Sequence, residues 1–337
     1  MGKSLFIPKV YQSILDIIQT EKAIKNIKDH FECELSDALN LTRISAPLLV
    51  RAGLGINDDL NGVERVVSFD ALDINNSPIE IVQSLAKWKR AALSRYGFSV
   101  GEGIYTDMNA IRRDEELDNL HSMYVDQWDW EKVITYKQRN IRTLKNEVKK
   151  IYEALKSTEK YLYKHYSSLV PILPKDIYFI TAQELEDRYP ELTPKQREDK
   201  ITKEYGAVFV MQIGGLLKSG EKHDGRSPDY DDWSLNGDIL LWYPILDRAI
   251  EISSMGIRVD EKALLKQLKQ ANADYRAELD FHQSILKREL PFTIGGGIGQ
   301  SRLCMFFLKK AHIGEVQVSI WNDHIINECK KGNIPLL

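Results

Sequence analysis

The sequence predicts an α+β fold, a mostly antiparallel β-sheet flanked by helices. Two observations support this prediction: the strand-like segments are short, and turns rather than regular helices separate most of them. A doubly wound parallel sheet would instead alternate its strands with helices. The chain has 337 residues, of which 43% are hydrophobic and 28% charged, an ordinary globular composition with enough length to bury a large core. We expect residues 1–337 to form a single domain.

The first helix is predicted from about residue 8 to residue 39, because apolar residues recur near helical spacing and Pro8 suits a first turn. The stretch from Thr42 to Arg51 is β-like but interrupted by Pro47, so we expect an edge or interface strand there. The other predicted elements are strands at 64–72 and 79–85, a helix at 87–96 ending at Gly97, a strand at 122–130, a long helix at 131–166, and strands at 177–181, 207–213, 238–243 and 249–253.

Composition excludes several classes of protein. The net charge of −3 gives no sign of a surface dedicated to nucleic acid. The three cysteines, Cys33, Cys304 and Cys329, are widely spaced, which indicates a reducing compartment, and the seven histidines show no metal-ligand spacing. No apolar run approaches the roughly 20 residues of a membrane span, and the N-terminus is too short and polar for a signal peptide. We expect a cytoplasmic protein without nucleic-acid or membrane partners.

The most informative motif is the glycine-rich segment 295–302, in which four glycines occupy five positions and Arg302 follows three residues later. Glycine lets the backbone approach a ligand closely, and an arginine fixed by a following helix can bind a phosphate or stack on a base. The spacing matches neither a P-loop nor a dinucleotide fingerprint. A plain turn entering an amphipathic helix is the alternative. We favour a nucleotide site.

Several carboxylates are candidates for cation binding. The run from Asp229 to Trp233 could recognise an ammonium group, although a solvated acidic loop is the simpler interpretation of any one carboxylate. Asp238 and Glu251 bracket two strands that could form a hairpin. Two carboxylates near a phosphate site would suit Mg²⁺, which prefers oxygen ligands.

Polar residues at three other places suggest a charged substrate. In a strand from Asp126 to Trp130, Gln127 and Asp129 share one face, and a polar ligand would give them a partner. The basic cluster around Lys89 lies at a strand-to-helix junction, a natural anion site, and Arg112 in a charged loop could clamp a phosphate. Because no nucleophile set is apparent, we expect phosphoryl or nucleotidyl transfer, in which charged substrates are positioned.

Seven motifs together resemble one family, the bacterial ammonia-dependent asparagine synthetases, or aspartate–ammonia ligases. The resemblance runs from about residue 8 to the C-terminus. The motifs are Gln83–Arg90, Gly101–Thr106, His121–Glu131, Pro228–Trp233, Leu235–Leu240, Glu251–Arg258 and Gly295–Arg302. This family resembles the catalytic core of class II aminoacyl-tRNA synthetases, which implies an antiparallel sheet flanked by helices, a single catalytic domain and a homodimer. The strand with Pro47 then resembles the proline-containing dimer motif of that class.

The resemblance implies a two-step reaction. The aspartate side-chain carboxylate attacks the α-phosphate of ATP, giving β-aspartyl-AMP and pyrophosphate, and ammonia then displaces AMP to give asparagine. By resemblance, the amino acid is surrounded by Ser84, Lys89, Gln127, Asp129, Asp231 and Ser254. The residues implied for ATP are Arg112, Glu251, Gly297 and Arg302, with Mg²⁺ on Asp238 and Glu251. Asp58 resembles a family aspartate near the substrate side chain, where it could bind ammonium or take its proton.

The chain departs from the family pattern at one loop, and two other functions are alternatives to the ligase. Some family members have extra residues between the motifs that Trp233 and Asn236 join here, which puts the geometry of any lid at that loop in doubt. A tRNA synthetase would need an anticodon-binding module and a basic surface, which this mildly acidic chain does not offer. A regulator that only binds aspartate or nucleotide would need no phosphate clamp with Mg²⁺ ligands.

Overall fold

The computed structural model of the protein describes residues 5–57 and 64–337. That part of the chain contains an eight-stranded sheet, a three-stranded sheet and nine α-helices. The strands are β1 Leu41–Arg43, β2 Leu49–Arg51, β3 Ser68–Phe69, β4 Ile79–Ile81, β5 Gly103–Ile111, β6 Tyr124–Val133, β7 Tyr178–Thr181, β8 Ala207–Met211, β9 Asp231–Tyr243, β10 Arg248–Arg258 and β11 Thr293–Gly299. The helices are α1 Ile17–Leu39, α2 Ala86–Tyr96, α3 Ile141–His165, α4 Ala182–Arg188, α5 Pro194–Tyr205, α6 Glu261–Gln270, α7 Asp280–Leu286, α8 Gln300–Phe307 and α9 Asp323–Lys331.

The large sheet has the strand order β1-β5-β6-β11-β10-β9-β8-β7. Each neighbouring pair from β5 to β8 is antiparallel, whereas the outer strands β1 and β7 run parallel to β5 and β8. The predicted mostly antiparallel sheet flanked by helices is confirmed. The short strands β2, β4 and β3 form the second sheet, in that order.

The glycine-rich segment is a central strand, β11, rather than the plain turn considered as an alternative. Gly297 pairs with Asp129 of β6 on one side and with Ser254 of β10 on the other. Helix α8 begins at Gln300, directly after this strand, and carries Arg302 in its first turn. The strand-to-helix junction therefore attaches the arginine to the middle of the sheet.

Helices α1 and α3 pack against each other and cover one face of the sheet. Phe31 of α1 contacts Trp128 of β6, with ring centroids 4.9 Å apart, and Trp128 and Trp130 are fully buried in this core. Side chains alternate along a strand, so Gln127 and Asp129 lie on the opposite face, where both line a cavity. The alternation predicted for this strand is confirmed.

Two predicted helices begin in the wrong place. The first starts at Ile17 and not near Pro8, because the Asp16 side chain accepts a hydrogen bond from the Gln19 amide and caps the helix there. The long helix predicted from residue 131 begins at Ile141, capped by Asn140. Residues 131–133 continue β6, because their backbone pairs with β5 and β11.

The predicted strand from Thr42 to Arg51 is two strands in different sheets. Strand β1 ends at Arg43 at the edge of the large sheet, and β2 begins at Leu49 in the small sheet, with Pro47 between them. Proline cannot donate a backbone hydrogen bond to a neighbouring strand, so pairing breaks around it. The predicted edge position is confirmed for β1.

Across residues 5–57 and 64–337, no helix has the length and apolar character needed to cross a membrane. The three cysteines are free thiols, with Cys33 exposed and Cys304 and Cys329 buried.

Candidate active site

A cavity of about 220 Å³ lies against the face of the sheet opposite α1 and α3. Its walls come from the start of α2, the loop after β5, strands β6, β9, β10 and β11, and the start of α8. Ten of the predicted site residues line it: Ser84, Lys89, Arg112, Gln127, Asp129, Asp231, Glu251, Ser254, Gly297 and Arg302. Asp238 is outside this lining, and Asp58 lies outside the described residues. Residues scattered over more than 200 positions thus meet in one place.

Arg258 organises one end of the cavity, which we call the acidic end (Lys89, Asp129, Glu131, Asp231 and Arg258). Its Nε and Nη2 atoms donate to the Glu131 carboxylate at 2.9 and 2.7 Å, and its Nη1 atom donates to Asp231. Burial acts to raise the pKa of Glu131, but the Arg258 guanidinium and the Lys89 ammonium outweigh it and hold that pKa below its usual range. Sequence reasoning missed the roles of Arg258 and Glu131, although both stand at the ends of quoted motifs.

Lys89 supplies the second cation of the acidic end. Its ammonium pairs with Asp129, donates to the carbonyl oxygens of Trp130 and Gly296 at 3.0 and 3.2 Å, and lies 3.9 Å from a Glu131 oxygen. Two cations, Lys89 and Arg258, therefore share this end with three carboxylates. All five side chains are buried, so the excess of one carboxylate acts in surroundings where charge is weakly screened.

The glycines of β11 leave space for these side chains. A Cβ at Gly295 would lie 2.1 Å from a Glu131 oxygen and 2.6 Å from an Arg258 nitrogen. A Cβ at Gly297 would lie 2.2 Å from the Gln127 side-chain oxygen. All three distances are far inside van der Waals contact, so any larger residue would displace these polar groups.

The other end of the cavity, which we call the arginine end (Arg112, Glu251 and Arg302), is less tightly paired. Arg302 donates to the Glu251 backbone carbonyl at 2.9 Å but lies 4.0 Å from its carboxylate. Arg112 lies 3.7 Å from Glu115, and its buried Nε atom has no hydrogen-bond partner among the described residues. These two guanidinium groups retain donors that an anionic ligand can use.

The carboxylates predicted to hold Mg²⁺ lie on adjacent strands of the β9–β10 hairpin, as expected. One Asp238 oxygen pairs with Arg226, while the other is buried and accepts no hydrogen bond from the described part of the chain. Burial and the nearby Glu251 carboxylate raise the pKa of Asp238 to about 7. A buried, unpartnered oxygen beside a second carboxylate has the donor chemistry that Mg²⁺ prefers, so the residues present fit this ion.

Asp229 of the acidic run and Lys87 of the basic cluster belong to one buried network, so a solvated loop is wrong for Asp229. Asp229 is fully buried, and its Oδ2 atom lies 2.9 Å from Lys87, 2.9 Å from His282 and 3.2 Å from Arg276. Burial acts to raise the pKa of Asp229, but Lys87 and His282 hold it well below its usual range. This network joins α2, α7 and the segment before β9, and so supports the cavity wall from behind.

Comparisons with known proteins agree with this arrangement. The sequence profile of the aspartate–ammonia ligase family matches residues 18–333. A protein of Clostridium perfringens (strain 13) named aspartate–ammonia ligase is 63% identical over 335 residues, covering 99% of this chain and 100% of that protein. A protein of Pediococcus pentosaceus with the same name is 57% identical over 333 residues, covering 99% of each.

Solved structures show the relationship of the fold. Asparaginyl-tRNA synthetase from Pyrococcus horikoshii, complexed with asparaginyl-adenylate, superimposes with a TM-score of 0.63 at 16% identity over 88% of this chain and 68% of that chain. The Entamoeba histolytica asparaginyl-tRNA synthetase in complex with asparaginyl-adenylate gives 0.62 at 14% identity, over 89% and 66%. This chain spans about two thirds of each synthetase chain. The fold is that of a class II synthetase core, and the full-length matches establish that the chain belongs to the aspartate–ammonia ligase family.

Proposed function

We propose that this protein makes L-asparagine from L-aspartate, ammonia and ATP through β-aspartyl-AMP, releasing AMP and pyrophosphate. The observation that carries the proposal is the division of one cavity into a buried acidic end and an arginine end with unused donors. An amino acid and a nucleotide that occupied these two ends would meet at the middle of β11. Family membership supports the same ligase activity.

At the acidic end we place the aspartate backbone groups. The excess of one carboxylate over two cations suits the α-ammonium, and Lys89 suits the α-carboxylate. Gln127, Ser84 and Ser254 offer hydrogen bonds around the same space. Binding both α-groups fixes how far the side-chain carboxylate reaches, which selects aspartate over the longer glutamate.

At the arginine end we place the ATP phosphates. Arg112 and Arg302 act from two different elements, a loop and a helix, on the charge that builds at the α-phosphate when the aspartate carboxylate attacks. Gly297 lines the cavity in the middle of the sheet, and we place the nucleotide against its backbone. Mg²⁺ held by Asp238 and Glu251, together with phosphate oxygens and water, would supply further positive charge against the phosphates.

The proposal extends to the domain organisation, cellular location and oligomeric state of the protein. We expect residues 1–337 to act as one catalytic domain, in the cytoplasm and as a homodimer. The role of Asp58, as an ammonium ligand or a proton acceptor, stays a prediction because that residue lies outside the described part of the chain.

The test is AMP formation from ATP, aspartate and ammonium without tRNA. We expect equal amounts of AMP and asparagine, with both products lost when aspartate, ammonium or Mg²⁺ is left out. A requirement for tRNA would instead indicate a synthetase, and ligand binding without AMP formation would indicate a regulator. The Arg302→Ala variant is the control, because it should abolish turnover that belongs to this cavity.

A further inference from the structure

The side-chain amide of Gln83 has a buried oxygen that accepts no hydrogen bond within residues 5–57 and 64–337. Gln83 is 1% exposed and lines the cavity directly before Ser84. Its Nε2 atom donates to the Arg65 carbonyl at 3.0 Å, which fixes the orientation of the amide, since an oxygen could not donate there. The Oε1 atom accepts no hydrogen bond from any residue that the structure describes. A buried carbonyl in this state is costly unless a ligand donates to it.

Gln83 connects the two ends of the cavity. Its backbone is continuous with Ser84 and the start of α2, which carries Lys89 of the acidic end. Through the Arg65 carbonyl it is also joined to the loop of the arginine end, because the Arg65 side chain pairs with Asp114, two residues after Arg112. Gln83 therefore lines the cavity wall and is joined through the chain to residues at both ends of the cavity.

The chemistry of the ligands limits which of them can donate a hydrogen bond to the Gln83 oxygen. Phosphate oxygens and the aspartate side-chain carboxylate are themselves acceptors, and the α-ammonium has the carboxylates of the acidic end. Ammonia donates hydrogen bonds and must reach the junction between the aspartyl group and AMP. We propose that Gln83 Oε1 accepts a hydrogen bond from ammonia and forms part of the ammonia subsite, an inference that rests on the proposed function.

The geometry of this bond suits the second step. Ammonia can donate one N–H to the carbonyl while its lone pair stays directed at the aspartyl Cγ. The lone pair forms the new C–N bond, the Cγ–O bond to AMP breaks with its electron pair going to the AMP phosphate oxygen, and one proton leaves the nitrogen for water. Gln83 is neutral and takes no proton, so it orients the nucleophile without acting as a base.

Two variants separate the acceptor from the bond to Arg65. Gln83→Met removes both functions, whereas Gln83→Glu keeps an acceptor oxygen and loses the donor. For Gln83→Met we expect the KM for ammonium to rise about tenfold, near the upper end of the effect of losing one hydrogen bond to a neutral ligand. Aspartate-dependent ATP–pyrophosphate exchange, measured without ammonium, should stay within about threefold of the wild type. For Gln83→Glu the KM for ammonium should stay within about threefold.

The outcomes are distinct. An equal rise in the KM for ammonium in both variants would show that the bond to Arg65 matters rather than the acceptor, and a rise in the KM for ATP instead would place a nucleotide hydroxyl or amino group there. Either result overturns the inference. If Gln83→Met fails to fold, a tenfold rise in Gln83→Glu alone still contradicts it. Absence of aspartate-dependent exchange in the wild type would instead refute the proposed function.

Discussion

The two ends of the cavity differ in how their cations are used. At the acidic end, Lys89 and Arg258 are almost fully buried and pair with protein carboxylates. At the arginine end, the Arg112 and Arg302 side chains are 25% and 22% exposed and lie 3.7 and 4.0 Å from their nearest carboxylates. The two cations of the acidic end are already paired with carboxylates of the fold, which outnumber them by one. The two cations of the arginine end keep their donors for a ligand.

This difference separates stability from turnover. Removing a cation from the acidic end leaves a buried carboxylate uncompensated, which destabilises the folded protein. Removing one from the arginine end exposes no such charge and takes away only an interaction that forms with the phosphates. The predictions below test that separation, from the largest expected effect to the smallest.

The replacement Arg258→Met should lower the free energy of unfolding by about 3–5 kcal/mol, because Glu131 and Asp231 lose their buried partner. Urea denaturation measures this change. The matched control is Arg43→Ala, which breaks an exposed pair with Asp107 and should cost about 1 kcal/mol or less. Equal losses of unfolding free energy in the two variants would mean that burial does not determine how much these ion pairs stabilise the fold.

The replacement Asp229→Asn should cost about 3 kcal/mol of stability at pH 7, since it removes a buried charge that Lys87, Arg276 and His282 surround. The folded-state pKa of Asp229 is held below its usual value of 3.8. The charged carboxylate therefore stabilises the fold above about pH 4, and this contribution falls by about 1.4 kcal/mol per pH unit below it.

Unfolding curves of the wild type and Asp229→Asn at pH 7, 5 and 3 measure that dependence. The gap between the two proteins should be constant from pH 7 to 5 and shrink at pH 3. A gap that widens on acidification would contradict the sign of the pKa shift.

At the arginine end, Arg112→Ala should lower kcat about 100- to 1,000-fold with little change in stability, since its buried Nε atom has no protein partner in the described chain. The neighbouring Arg113 is exposed and outside the cavity lining, so Arg113→Ala is the matched control and should keep near-normal turnover. Steady-state kinetics with saturating ATP measure kcat for both variants, and thermal unfolding measures their stability. Similar losses in both variants would reject the phosphate clamp.

The smallest effect is expected for Glu251→Gln. Its carboxylate is predicted to share Mg²⁺ with Asp238, so the Mg²⁺ concentration needed for half-maximal activity should rise several-fold, while the amide keeps the side chain's size. Titration of activity with Mg²⁺ at fixed ATP measures the change. An unchanged Mg²⁺ requirement would remove Glu251 from the metal site.

Much of the fold could be predicted from local pattern. The turn before Ile79, the helix that ends at Gly97 and the β9–β10 hairpin all have clear short-range signals, and the structure contains them. The first residues of helices were harder to predict. The Asp16 side chain caps α1 by accepting a hydrogen bond from the Gln19 amide, which a run of apolar residues does not reveal. Strand β5 is absent from the prediction although Ile104, Tyr105 and Thr106 are residue types that favour strands.

In the site, too, residues within local motifs could be predicted, whereas residues defined by distant partners could not. Ten cavity residues could be named from motifs, but Arg258 and Asp229 belong to networks that join residues 27 to 142 positions apart. Such partners are set by sheet register and helix packing, which a single sequence does not specify. A charged run such as the one at Asp229 therefore resembles exposed surface in the sequence, although partners elsewhere in the chain allow it to be buried.

The central claim, that the cavity joins the aspartate side chain to the α-phosphate of ATP, is tested most directly with aspartate carrying ¹⁸O in its side-chain carboxylate. One carboxylate oxygen should appear in AMP for each asparagine formed, and the other should stay in the asparagine amide. AMP without label, or label in pyrophosphate or free phosphate, would show that the bond forms at another phosphorus atom and would contradict the account.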